Sequence, residues 1–153
     1  MQMLYNKFLL FLTVFLFMIS PIFSQTPADI DSLLGEAEIN GEQAAYFTLA
    51  LALEKIPENP QAAFSLAREK GWLAADMQNT GKIDYSGLSF LLMNAFNIKG
   101  GMMYRFTGSP RYAYRELKNR GIINGRVYSD FPVSGEHFLQ ILGNITDDEG
   151  GAW

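Results

Sequence analysis

Residues 76–87, Asp76-Met77-Gln78-Asn79-Thr80-Gly81-Lys82-Ile83-Asp84-Tyr85-Ser86-Gly87, place an acid first, a glycine sixth, an apolar residue eighth and an acid ninth. That order approaches a helix–loop–helix calcium loop, which needs oxygen ligands at places one, three, five and nine and a bidentate glutamate at twelve. Gln78 and Thr80 are weak substitutes, and place twelve is Gly87. Too few oxygens remain for a tight site. The same residues make better sense as a helix start, with Asp84 as the cap and Ile83 as the apolar residue before it.

A second constellation lies in Gly100 to Lys118, "GGMMYRFTGSPRYAYRELK". On a helix begun at Pro110, Arg111, Arg115 and Lys118 share one face, with Tyr112 beside them and Tyr104, Arg105 and Phe106 arriving just before. Guanidinium forks next to tyrosine rings suit an anionic glycan or phosphate polymer, through bidentate hydrogen bonds and stacking. The same residues fit a solvated basic face whose tyrosines are half-buried between helices, and the sequence leaves both readings open. Gly100-Gly101 reads as a turn, because no Gly-Lys-Ser/Thr follows to make a phosphate cradle.

Hydrolytic chemistry has less to work with. His137 is the only histidine and no cysteine occurs, so thiolate ligands, a cysteine nucleophile and a disulfide frame are all excluded. Nothing marks a nucleophile elbow for a Ser-His-acid relay, and His137 reads as a surface residue near a cap at Ser134. Glu36, Glu38 and Glu42 could supply the carboxylates of an envelope glycan hydrolase. Acids near a helix N-terminus at Asn40 are explained more simply by the helix dipole. No cofactor or metal is implied.

The elements that must carry these residues are helical, since strand-like alternation is scarce. Thr26-Pro27, Asn59-Pro60 and Ser109-Pro110 each pair a capping residue with proline at the first helical position. Ile39-Asn40, Ile83-Asp84 and Val133-Ser134 put a β-branched residue before the cap, and Ala44, Leu88 and Phe138 stand at the spacing of a hydrophobic staple. Gly71 and Gly121 fall where a three-turn helix would stop. The two kinds of start alternate, and the stretch beginning at Pro60 overlays without a gap on that beginning at Pro110, matching Ala63 with Ala113, Gly71 with Gly121 and Asn94 with Asn144. The expected fold is all-α, three short helix–loop–helix repeat units, the first shortened. Trp72 and the apolar run Ala44 to Leu53 read as core, with that helix central.

Residues 1–24 place Lys7 before an apolar run from Phe8 to Ile19, then Ser20-Pro21 and a small Ser24, the order of a secretory signal cleaved after Ser24, with an uncleaved anchor as the alternative. Residues 25–145 form the helical repeat domain, and 146–153, "TDDEGGAW", an acidic flexible tail with Trp153 a docking candidate. The chain has 12 basic and 16 acidic residues, so losing Lys7 takes the net charge from −4 to −5 and makes nucleic acid an unsuitable partner. No transmembrane span is expected after signal cleavage, and the mature chain is expected in the periplasm or cell envelope.

The last unit, "AYRELKNRGIINGRVYSDFPVSGEHFLQIL", resembles an S-layer homology (SLH) repeat. Gly121-Ile122-Ile123-Asn124-Gly125 corresponds to that family's turn, Phe131-Pro132 to its loop, and Val133-Ser134-Gly135-Glu136 to the opening of its second helix. The resemblance implies a three-fold helical module that holds exported proteins on cell-wall polymers, with an arginine near each second-helix start as a polymer contact. This sequence has Gly41, Ser86 or Tyr85, and Gly135 at those places. It therefore points to a non-catalytic binding or anchoring module for peptidoglycan, a wall polymer or an envelope protein, with Tyr104, Arg105, Arg111, Tyr112, Arg115 and Lys118 as candidate contacts.

Overall fold

The computed structural model describes residues 27–53 and 57–150. The segment read as a signal, residues 1–24, and the last residue, Trp153, lie outside the described residues. Seven helices and no strand occur among the latter: α1 (Pro27–Leu34), α2 (Gly41–Ala52), α3 (Pro60–Glu69), α4 (Tyr85–Ala95), α5 (Met102–Thr107), α6 (Pro110–Asn119) and α7 (Gly135–Gly150). None of these helices is long and apolar enough to cross a membrane.

The helix starts follow local chemistry. Asn40 accepts the Gln43 amide at 2.9 Å while the Gln43 side chain returns to the Asn40 amide, a reciprocal capping box. Asn59 caps Ala62, Asp84 caps Gly87, and Ser134 accepts the His137 amide at 3.3 Å. Ser109 departs from this pattern. Its side chain caps nothing, and its own amide donates to Thr107 Oγ1. The stops are equally local: Gly71 and Gly121 have φ of 71° and 74°, and in both the next residue's amide reaches back to the carbonyl five residues earlier. A third stop of this kind ends α4, where Asn97 takes the left-handed conformation (φ 51°) and the Ile98 amide bonds the Met93 carbonyl at 2.8 Å.

Three buried residues from distant parts of the chain close the fold. The Ile39 amide donates to the Val133 carbonyl (2.9 Å), the Ile83 amide to the Ile39 carbonyl (3.1 Å), and the Val133 amide to the Ile83 carbonyl (3.0 Å), so the three β-branched residues form a ring of backbone hydrogen bonds. Just outside it, the first amide of each following helix docks on a neighbouring loop: Gly41 on the Gly81 carbonyl, Tyr85 on Phe131 and Gly135 on Glu36. Helix packing follows the same circuit, α2 against α3, α4 against α6, and α7 against α1. α2 also packs against α4, and Ala44, Ala45, Phe47 and Leu49 are buried, in keeping with its apolar composition. Its outer turn leaves Leu51 45% exposed, and the core is shared among Leu49, Leu88, Leu91, Phe138 and Ile141 around the ring.

Two glycines are fixed by this closure. A methyl group added at Gly135 would stand 1.6 Å from the Leu33 carbonyl oxygen, and one at Gly41 would stand 2.6 Å from that of Gln78. At the C-terminal end, α7 continues to Gly150, so the segment expected to start a flexible tail at Thr146 carries the helix onward, and the Thr146 hydroxyl donates to the Gly143 carbonyl.

Candidate functional site

The candidate residues divide between two neighbouring surfaces. Tyr104 and Arg105 sit on α5, a short helix absent from the sequence expectation, which starts at Gly101 and stops at the left-handed Gly108. Arg111, Tyr112, Arg115 and Lys118 sit on α6, against which α5 packs. Arg111 and Arg115 are exposed, and the Arg115 guanidinium lies 5.7 Å from the Tyr112 ring centre, a cation–π contact. Lys118 is turned away from them. Its ammonium donates to the Gly125 carbonyl at 2.6 Å and lies over Tyr114, so it braces the turn after α6.

Tyr104 and Arg105 instead line a groove of about 840 Å³ between the end of α4 and α5. Trp72, Phe90 and Tyr104 give it aromatic surface, Asn94 an amide, and Lys99 and Arg105 its cations, while no acidic side chain lines it. The Tyr104 ring meets Phe90 edge-on at 6.5 Å, and Asn94 Nδ2 lies 3.5 Å from its hydroxyl after donating to the Phe90 carbonyl at 2.7 Å. Burial raises the Tyr104 pKa, partly offset by the Asn94 contact, so the phenol stays protonated as a donor. The ring also needs Gly100 beneath it, since a Cβ there would fall 2.3 Å from Tyr104 Cδ1.

The loop walling this groove is pinned from α6. Glu116 accepts the Gly101 amide through Oε2 and pairs with Arg120 through Oε1, both at 3.0 Å, while Arg120 Nη2 donates to the Lys99 carbonyl. Trp72, read from sequence as core, is a half-buried wall of the groove with the Lys70 ammonium 5.1 Å from its ring centre.

The other candidates are tied into the scaffold. His137 is half-buried rather than a plain surface residue: its Nδ1 shares a hydrogen bond with the buried Tyr85 hydroxyl, and the rings are 5.3 Å apart. Burial pushes the His137 pKa down, the Lys118 charge adds to this, and Glu136 opposes it. Glu38 pairs with Lys82 and Glu42 accepts from Asn79 Nδ2 at 3.0 Å, while Glu36 is exposed and its backbone carbonyl accepts the Gly135 amide.

The loop before α4 is spent in the same way. The Asn79 and Gly81 carbonyls accept the Glu42 and Gly41 amides, while Asp84 Oδ1 accepts from Ser86 and Gly87. A second groove, of about 750 Å³, runs past this loop, with Glu38, Asp76, Asp84 and Asp130 outnumbering its one cation, Lys82. Its charge suits an anionic polymer poorly. Among the described residues no group of three or more His, Cys, Asp or Glu is arranged to hold a metal ion.

No family model matches this chain, and no curated protein and no solved structure matches it.

Proposed function

We propose that this chain is an exported, non-catalytic module of the cell envelope, built from three helix–loop–helix units of the S-layer homology kind, that binds an envelope polymer. The observation that carries the proposal is the groove between α4 and α5, where Trp72, Phe90 and Tyr104 stand beside Lys99 and Arg105 with no acid among them. Aromatic faces with amide and cationic donors suit the rings and acidic groups of an anionic glycan. The hydrogen-bonded ring of Ile39, Ile83 and Val133 supports the three-unit reading, because each residue holds the same place before a capped helix.

Binding takes place away from the second-helix starts. Gly41 and Gly135 lie against backbone, leaving no room for the arginine that the resemblance implies there, while Tyr85 turns to His137 and Tyr114. Arg111 and Arg115 extend the cationic surface beyond the groove.

Pull-down with purified wall sacculi tests the proposal. Binding is expected to weaken with added salt, and the pair Tyr104→Ala and Arg105→Gln to lower affinity about tenfold or more, since one charged hydrogen bond is worth about 1.5–3 kcal/mol. Arg111→Gln with Arg115→Gln is expected to weaken binding with little change in melting temperature. Sacculus binding that is absent, or indifferent to all four substitutions, would overturn the reading.

A further inference from the structure

The outward face of α5 is unlike the rest of the surface. Met102, Met103 and Phe106 are 73%, 54% and 82% exposed, and as positions i, i+1 and i+4 they share one side of the helix, opposite the Tyr104 ring that packs on Phe90. Arg105 flanks that side of the helix and Lys99 precedes it, both exposed. From Tyr85 to Arg115 the sequence has no Asp or Glu, although the chain as a whole is acidic. The next acid, Glu116, is already engaged by Arg120 and the Gly101 amide.

We infer that α5 is a docking finger for the surface of an anionic phospholipid bilayer, with Met102, Met103 and Phe106 entering the boundary of the acyl region and Lys99 and Arg105 meeting lipid phosphates. A short apolar face rimmed by cations has the chemistry of interfacial insertion. The flexible methionine chains and the phenyl ring can leave water without finding a shaped partner. A second copy of the chain is the poorer occupant. Three side chains fall well short of the roughly 800 Å² per partner that a stable protein interface buries, and self-association would bring Lys99 and Arg105 of both copies together.

This inference goes beyond the polymer-binding reading and fails separately from it, because sacculus binding and bilayer insertion are measured on different targets. The chain has no cysteine, so full-length Met103→Cys can carry a single environment-sensitive fluorophore, with Asn124→Cys as a control on another exposed loop. Vesicles containing phosphatidylglycerol should shift the emission at position 103 to the blue and brighten it at least about twofold, the contrast expected when a probe leaves water. The label at 124 should not respond, and phosphatidylcholine vesicles should give little change at either position. Adding Arg105→Gln should lower vesicle affinity roughly fivefold, the effect of one cation near an anionic surface.

Because the probe reads α5 itself, attachment through the N-terminal apolar run does not imitate the signal. No response at 103, an equal response at 124, or a blue shift that grows with protein concentration without vesicles would overturn the inference, the last assigning the face to self-association.

Discussion

At the scale of single residues, His137 has the most to report. Its imidazole is half-buried against the Tyr85 hydroxyl, and burial together with the Lys118 charge holds its pKa below the ordinary value, with Glu136 opposing. The folded chain therefore favours neutral His137, whereas the unfolded chain takes up a proton near pH 6.5. This contribution to stability is fully present above about pH 6.5 and is lost as pH falls through that value toward the lower folded pKa. The melting temperature should thus fall between pH 7.5 and 5.5, and His137→Gln should flatten that fall while keeping a polar group against Tyr85. Equal slopes for the two proteins would remove His137 from the account.

At the scale of elements, close approach matters more than propensity. Gly135 opens α7 against the Leu33 carbonyl, so Gly135→Ala must push α1 and α7 apart and is expected to cost about 3 kcal/mol, the upper range for overpacking. Gly143 lies in the same helix with nothing near its absent Cβ, and Gly143→Ala should be neutral or stabilising by about 0.5–1 kcal/mol. Urea denaturation of both variants checks the contrast, and similar stabilisation of the two would show that helix propensity, and not close approach, decides the outcome. Much at this scale was legible in the sequence, because caps, proline starts and glycine stops act within four or five residues. The all-α class, the starts at Asn40, Asn59, Asp84 and Ser134, and the stops at Gly71 and Gly121 all depend on such local contacts. Helix α5 was not legible: it has six residues, a glycine at its cap and no buried side chain to impose a period. The stop at Asn97 was missed because asparagine adopts the left-handed conformation less visibly than glycine.

At the scale of the whole molecule, what sequence could not give is the meeting of segments far apart in the chain. The groove needs Trp72 beside Tyr104, and the pinning of its wall needs Glu116 and Arg120 to reach Lys99 and Gly101. Neither relation has a local signature. The closure at Ile39, Ile83 and Val133 is another such meeting: α1 and α7 pack together beside it, and its three residues are at most 2% exposed. Native-state hydrogen exchange tests that closure most directly, since an amide locked in such a ring exchanges only when the molecule unfolds as a whole. The amides of Ile39, Ile83 and Val133 should share one protection free energy, equal to the global stability from denaturant melts. An Ile39 amide exchanging at about 2 kcal/mol or more below that value would show the first segment opening independently and would contradict the closed ring.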